Sequence, residues 1–380
     1  MKSILQKDFW SITSFLENKN YKFDKENILT QLPEKFIDEA IEAISSWDNY
    51  APTPLIKLNK LNDELKLKNI YYKDEDKRFE LKSFKALGGA FAVYKIASEK
   101  KNITVSTATA GNHGRSVAWG AQRLGLKCKI FISEFVSESR AEAMRNLDAD
   151  VIRVKGNYDN SLKECIQQSN KNSWEIVQDV SWEGYKEVPK LIMAGYTIMV
   201  KEIIEEIDKN SITQVFLQAG VGGMAAAMIA GFAKLSENIP QFIIIEPENA
   251  DCVFQSIKNN KPTTVDIKKE TVMGGMSCGD VSSIAWEILK NSANYCLTIP
   301  DEAISTVVAL LAEKRLSNEK IIGGECAVPG VIALIGSFNN KEYLDKLKLN
   351  SESNVLLFGC EGLTDDAMYQ KLLNDGLQKI

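Results

Sequence analysis

Residues 213–235 read TQVFLQAGVGGMAAAMIAGFAKL, and this stretch decides the fold. An apolar, β-branched run over 213–219 is followed at once by a glycine-rich turn and then by a long apolar segment. A strand, a glycine turn and a helix in this order are typical of α/β proteins. Backbone N–H groups of such a turn, together with the helix N-terminus, can converge on a phosphate. The stretch therefore predicts a strand-to-helix unit with a candidate phosphate site.

Five more short apolar runs alternate with helical patterns along the chain. They cover 103–107, 129–133, 151–155, 242–246 and 354–359. Because these runs are apolar almost throughout, as in strands covered on both faces, we predict an α/β protein with mostly parallel sheets. Ligands of such sheets bind beyond the carboxyl ends of the strands. Three glycine-rich segments follow predicted strands and are therefore candidate sites: 107–115, 218–224 and 359–366.

The composition argues against several classes of function. The chain has 380 residues, a net charge of −5 and a single histidine, His113, which argues against a histidine-based metal centre and against most Ser-His-Asp sets. We expect no metal, no nucleic acid and no membrane as partner, and an organic cofactor for difficult chemistry. Seven scattered cysteines and no secretory signal favour the cytoplasm. Cys252 and Cys278 are either small buried residues or a labile disulfide.

Two segments admit alternative interpretations when each is taken alone. Gly220 to Ala225 also satisfies the dinucleotide pattern G-x-G-x-x-A, with Glu246 ending the next predicted strand where a ribose-binding acid is expected. Lys85, in FELKSFKALGGAFAV (79–93), is either a solvated surface charge or an amine partly desolvated by its small neighbours. An amine of the second kind is a nucleophile toward aldehydes.

Taken together, five motifs resemble a known family. YAPTPLIKL (50–58), SFKALGG (83–89), TAGNHG (109–114), GVGGM (220–224) and GCEGLTD (359–365) occur in the order typical of the fold-type II pyridoxal-phosphate enzymes, the tryptophan-synthase β-like group. Longer strings, among them VQDVSWEGYKEVPKLIMAGY (177–196), are most similar to the diaminopropionate ammonia-lyases of that group. The resemblance covers roughly residues 50–366.

The resemblance implies both architecture and assembly. It implies two open, twisted, mostly parallel sheets covered by helices, with a small domain of residues 86–200 inserted into a large domain formed by 1–85 and 201–380. It implies pyridoxal 5'-phosphate as cofactor, bound between these domains. It also implies a homodimer that acts on a small amino acid.

The resemblance further implies roles for individual residues. Lys85 would hold the cofactor as a Schiff base, and Asp179 would face a substrate amino group unless it only caps a helix. His113 would be either a proton donor or a polar anchor of its turn. The remaining positions are the phosphate cup Gly220, Val221, Gly222, Gly223 and Met224, the ring contacts Asn112 and Thr364, and the substrate-carboxylate loop Thr109, Ala110, Gly111 and His113.

The reaction implied is the elimination of ammonia from 2,3-diaminopropionate, giving pyruvate and ammonia, with Lys85 as the base for the L-isomer. One position departs from the family pattern: Ala110 stands where these lyases have an aspartate that serves the D-isomer. We therefore expect the L-isomer to be favoured. The alternatives are elimination or β-replacement on serine, threonine or a cysteine derivative, and an amino-acid-binding relative with weak catalysis.

Overall fold

The computed structural model describes residues 10–109, 111–208 and 210–380. These residues fall into two compact units. The larger unit takes the described residues up to Gln31 together with Pro52–Lys77 and Met199–Ile380, and the smaller unit takes Leu32–Ala51 and Arg78–Ile198. Lys85 therefore belongs to the smaller unit, whereas the sequence boundary placed it at the end of the large domain.

The described residues contain eleven strands and sixteen α-helices. The strands are β1 Ser14–Glu17, β2 Leu55–Lys57, β3 Asn69–Asp74, β4 Thr104–Ala108, β5 Lys127–Ser133, β6 Ala149–Val154, β7 Glu175–Ile176, β8 Gln214–Gln218, β9 Gln241–Pro247, β10 Tyr295–Ile299 and β11 Asn354–Gly359. The helices are α1 Lys25–Gln31, α2 Glu34–Ser45, α3 Asn59–Leu65, α4 Lys85–Glu99, α5 Asn112–Arg123, α6 Glu138–Arg145, α7 Tyr158–Asn172, α8 Glu187–Tyr196, α9 Ile198–Glu206, α10 Gly223–Leu235, α11 Cys252–Asn259, α12 Ser283–Ser292, α13 Ile304–Ala312, α14 Pro329–Ser337, α15 Lys341–Leu347 and α16 Asp366–Leu377.

Each unit is built on one sheet. The larger unit has seven strands in the order β1-β10-β9-β8-β11-β3-β2, parallel except for the edge strands β1 and β2. The smaller unit has four strands in the order β6-β5-β4-β7, all parallel. The central strands β8 and β11 are buried along their whole length, which explains their apolar sequences. The predicted α/β class with mostly parallel sheets is confirmed.

All six predicted strands are present, as β4, β5, β6, β8, β9 and β11. The other five were not predicted from the sequence. Three of these are short or only partly buried: β1 has four residues, β2 three and β7 two, so they carry little apolar signal. No helix among the described residues is both long and apolar enough to span a membrane.

A buried ion pair stabilises the larger unit. The Lys73 ammonium, on β3, donates to the Glu202 carboxylate on α9 and to the Thr53 carbonyl, at 2.6 Å in each case. The side chains of Lys73 and Glu202 are fully buried. The Thr53 hydroxyl in turn donates to the buried Glu75 carboxylate at 2.6 Å. Because each charge is removed from water, neither is tolerated without its partner.

We predict that Lys73→Met lowers the free energy of unfolding by about 3–5 kcal/mol, because it leaves the buried Glu202 carboxylate without its charged partner. The double variant Lys73→Met/Glu202→Gln should recover a large part of that loss, because the unpaired charge is gone. Urea denaturation of the two single variants and the double variant measures this. Losses that simply add in the double variant would contradict the pairing.

Candidate active site

Lys85 is the first residue of α4 and its amine lies in an ion pair. Its Nζ is 2.5 Å from Oδ2 of Asp179. The two side chains are only 25% and 15% exposed. The interpretation of Lys85 as a solvated surface charge is therefore wrong, and its amine is positioned beside a fixed anion.

Aromatic rings form an apolar wall around this amine. The Lys85 Nζ lies 5.4 Å from the ring centroid of Phe84 and 5.7 Å from that of Tyr196, and the two rings pack edge to face. Gly88 makes room for this packing, because a Cβ there would stand 2.5 Å from Cε1 of Tyr196. The Tyr196 hydroxyl is buried, and burial raises its pKa although the nearby Lys85 amine opposes this shift. Sequence reasoning did not identify Tyr196.

Asp179 is an anion and caps no helix. It lies between β7 and α8, eight residues before α8 begins, so the capping interpretation is wrong. Burial alone would raise the pKa of Asp179, but the Lys85 amine, together with His113 when its ring is protonated at low pH, holds that pKa well below its ordinary value. The carboxylate therefore stays ionised and available to an ammonium group.

His113 anchors its turn to the segment that carries Asp179. Its Nε2 lies 2.8 Å from the Val177 carbonyl, and its Nδ1 lies 3.7 Å from Oδ2 of Asp179. Since the carbonyl only accepts, Nε2 carries the proton and Nδ1 is unprotonated in the neutral ring. Burial lowers the pKa of His113, although the nearby carboxylate opposes this shift. These contacts favour the neutral ring as a polar anchor.

The predicted substrate-carboxylate loop Thr109–His113 overlaps the start of α5. The helix begins at Asn112, so Asn112 and His113 lie in its first turn. The Thr109 hydroxyl accepts hydrogen bonds from the N–H groups of Gly111 and Gly114, at 3.1 and 3.3 Å. The N–H groups of Gly111 and Gly114 are therefore both paired with the Thr109 side chain. Ala110 lies outside the described residues.

The predicted phosphate cup is the glycine turn between β8 and α10. Gly222 has φ +88°, a left-handed conformation that glycine adopts without strain, and a Cβ there would stand 2.8 Å from Cδ1 of Leu289. The turn leads directly into α10, whose thirteen residues begin at Gly223. N-terminal N–H groups of such a helix favour an anion.

The predicted positions Thr364, Cys252 and Cys278 lie in the larger unit. Thr364 is partly exposed in the turn after β11, and its N–H donates to the Gly362 carbonyl at 3.0 Å. Cys360, which directly follows β11, is buried, and its thiol donates to the Cys326 carbonyl at 3.1 Å. Cys252 and Cys278 form no disulfide.

Glu246 does not support the dinucleotide interpretation. Its buried carboxylate accepts hydrogen bonds from the N–H groups of Val253 and Phe254 in the first turn of α11, at 2.8 and 2.7 Å. Burial raises the pKa of Glu246 to about 8. Because both oxygens bond to this helix N-terminus, the residue caps a helix and is not placed to bind a ribose.

Comparison with known proteins identifies the class. A profile of the pyridoxal-phosphate dependent enzyme family matches residues 47–360. The diaminopropionate ammonia-lyase of Escherichia coli (strain K12) is 33% identical over 384 residues, or 95% of this chain and 96% of the relative. The crystal structure of the Escherichia coli lyase with D-serine matches with a TM-score of 0.88 at 31% identity, covering 96% of this chain and 98% of that one.

A second structure of the Escherichia coli lyase, in complex with an aminoacrylate-PLP azomethine reaction intermediate, also matches with a TM-score of 0.88. It is 32% identical and covers 96% of this chain and 98% of that one. The fold and the site thus define a fold-type II enzyme. The chain belongs to the pyridoxal-phosphate dependent enzyme family, as the sequence motifs indicated.

The residues present fit this cofactor. The Lys85 amine is a primary amine with a quarter of its side chain open to solvent, as attachment to an aldehyde requires. The left-handed Gly222 leads into the N-terminus of α10, and the space beside Gly223 is open, because a Cβ there would meet no atom within 4 Å. A phosphate could therefore approach this backbone closely.

We predict that Gly222→Ala destabilises the protein by about 1–2 kcal/mol, the cost of a left-handed conformation for a residue with a Cβ. Gly223→Ala is the matched control, because a Cβ there meets no atom within 4 Å. That variant should be as stable as the wild type or more so. Urea unfolding compares the two. Equal losses would show that Gly222 is not the constrained position.

We predict that His113 titrates below its ordinary pKa of 6.5. Because the unfolded chain protonates near 6.5, the contribution of His113 to stability is complete above that pH and is lost as the pH falls through the folded-state value. The chain has one histidine, so its single Cε1–H resonance in an NMR titration reports the value directly. Asp179→Asn should lower it further. A midpoint above 6.5 would contradict the burial described above.

Proposed function

We propose that this enzyme eliminates ammonia from 2,3-diaminopropionate and forms pyruvate and ammonia. One observation carries the proposal: Asp179, kept ionised, lies 2.5 Å from the amine of Lys85. A base and an ammonium-binding anion in direct contact are what this elimination needs. The likeness to diaminopropionate ammonia-lyases over nearly the whole chain supports the same reaction.

The division of labour follows from the two side chains. Pyridoxal phosphate, when bound to the substrate's α-amino group, withdraws electrons from Cα. The freed Lys85 amine accepts the α-proton, and the β-amino group leaves as ammonia. The three-carbon enamine that remains is hydrolysed by water to pyruvate and a second ammonia.

Asp179 is the residue that favours a diamino acid. In the structure its carboxylate binds the ammonium of Lys85, so a substrate β-ammonium, with the same charge and the same donors, is a chemically equivalent partner. A hydrogen bond to a charged group contributes about 1.5–3 kcal/mol, which the hydroxyl of serine or threonine does not provide in full. Elimination from those amino acids is therefore the weaker alternative.

The L-isomer is the proposed substrate. In the resemblance described above, the aspartate that serves the D-isomer is replaced by Ala110, and alanine cannot accept a proton. The Escherichia coli relative was crystallised with D-serine, so D-amino acids enter a related site. We therefore expect this enzyme to lack proton transfer from the D-isomer, although the D-isomer can still bind.

The remaining assignments are part of the same proposal. Gly220–Met224 bind the cofactor phosphate through their backbone, Asn112 contacts its phenolic oxygen and Thr364 its ring nitrogen. Thr109–His113 bind the substrate carboxylate. The enzyme is a cytoplasmic homodimer, and the two compact units correspond to a large domain and an inserted small one. The N-terminus of α10 supports the first assignment, since it favours an anion.

The test compares Lys85→Ala and Asp179→Asn with the wild type on L- and D-diaminopropionate and L-serine, by ammonia and pyruvate release. Lys85→Ala should abolish turnover. Asp179→Asn should lower kcat/KM on L-diaminopropionate at least tenfold, or about 1.4 kcal/mol, with cofactor absorbance retained. Asp150→Asn is the control, because Asp150 forms a comparable 2.6 Å pair with Lys129 on the surface.

The wild type should turn over the L-isomer and not the D-isomer, and Ala110→Asp should create activity on the D-isomer. Equal turnover of both isomers by the wild type would refute the role of Ala110. No turnover of either isomer alongside rapid turnover of L-serine would refute the proposed substrate.

A further inference from the structure

Gln178, the residue before Asp179, uses its whole side-chain amide in hydrogen bonds. It is 1% exposed. Its Oε1 accepts from the Thr107 hydroxyl at 2.8 Å and from the Ala108 N–H at 3.1 Å. Its Nε2 donates to the Ala108 carbonyl at 2.9 Å and to the Tyr158 hydroxyl at 2.7 Å. The amide therefore binds both polar groups of Ala108, the last residue of β4.

The backbone around Gln178 is held as firmly as its side chain. The Gln178 N–H donates to the Tyr185 hydroxyl at 2.9 Å, and that hydroxyl donates to the Ile176 carbonyl at 2.8 Å. The Val177 carbonyl bonds to Nε2 of His113. Residues 177–179 are thus fixed to the end of β4 on one side and to the first turn of α5 on the other.

This connection joins two places with different tasks in the proposed function. Asp179 faces the β-ammonium, and Thr109–His113 face the α-carboxylate. In diaminopropionate the carboxylate is attached to Cα and the ammonium to the neighbouring Cβ, so the two binding sites must lie at one fixed separation. An error of about 1 Å in such a geometry is enough to lower a rate by a large factor.

We propose that Gln178 is a positioning residue that sets the separation between Asp179 and the loop Thr109–His113, and thereby selects substrates with an ammonium group on the β-carbon. This rests on the proposed function and specifies how the site chooses its substrate. Only an amide provides two donors and two acceptors at this length. Methionine has a similar length and provides no hydrogen-bond donor, and glutamate provides no donors when ionised.

The experiment compares Gln178→Met with the wild type. We measure kcat and KM for L-diaminopropionate, and the inhibition constant of L-serine against it, with cofactor absorbance and urea unfolding recorded for each protein. The control is Gln122→Met, which removes an exposed amide that donates to Asp148 at 2.8 Å in the same unit. Tyr158→Phe is a milder variant that removes the hydroxyl accepting a hydrogen bond from Nε2 of Gln178.

Gln178→Met should lower kcat/KM for L-diaminopropionate at least tenfold, mainly through KM, and change the inhibition constant of L-serine less than about threefold. Serine carries the carboxylate but not the β-ammonium, so it needs only one of the two sites. Tyr158→Phe should change kcat/KM for L-diaminopropionate and the inhibition constant of L-serine in the same directions as Gln178→Met, but by smaller factors. Gln122→Met should change neither.

Four results would overturn the inference. Equal weakening of diaminopropionate and serine together with a loss of stability would make Gln178 merely structural. If Gln178→Met leaves the kinetic constants for L-diaminopropionate and the inhibition constant of L-serine unchanged, Gln178 has no role in substrate selection. If Gln178→Met does not fold, an unchanged ratio of these constants in Tyr158→Phe leads to the same conclusion. In these cases the wild type still eliminates ammonia, and the proposed function stands. A wild type that is inactive on L-diaminopropionate would overturn the proposed function and this inference with it.

Discussion

The ion pair between Lys85 and Asp179 is the constraint on which the site depends. Both groups are mostly removed from water, and the Lys85 amine helps to keep the Asp179 carboxylate ionised. A half-buried ammonium without its anion would be costly, and so would the anion without its ammonium. The pair therefore fixes two reactive groups within hydrogen-bond distance, which a flexible lysine on an open surface would not achieve.

Much of the smaller unit is arranged to hold this pair. Gly88 brings Tyr196 against the start of α4, where Lys85 stands. His113 and Gln178 hold the segment of Asp179 from two sides, one through the Val177 carbonyl and the other through Ala108. None of these contacts is charged, so they position the carboxylate without competing for it.

The sequence predicts the parts of the protein that have local signals. The central strands were predicted from their apolar runs and the glycine cup from its place between a strand and a helix. Lys85 was assigned from the family resemblance, because its small neighbours alone left a surface charge as the alternative. Gln178 and Tyr196 have no such signal. The role of Gln178 follows from contacts with partners such as Ala108, which is seventy residues away in the sequence. A tyrosine in an apolar helix gives no sequence signal that distinguishes a residue of the site from an ordinary core residue.

The division into units shows the same limit. Residues 32–51 pack with the smaller unit although they precede residues 52–77 of the larger one. Phe79, Glu80 and Lys82 adopt positive φ just before Lys85, although none of them is glycine. Tertiary contacts determine conformations of this kind, so the residue type does not predict them.

The central claim is that Lys85 is the point of attachment for the cofactor. Borohydride reduction of the holoenzyme makes the link between a lysine amine and the cofactor's aldehyde permanent, and peptide mass spectrometry then locates it. The account predicts one modified peptide, carrying the pyridoxyl group on Lys85. A pyridoxyl group on any other lysine, with Lys85 unmodified, would contradict it.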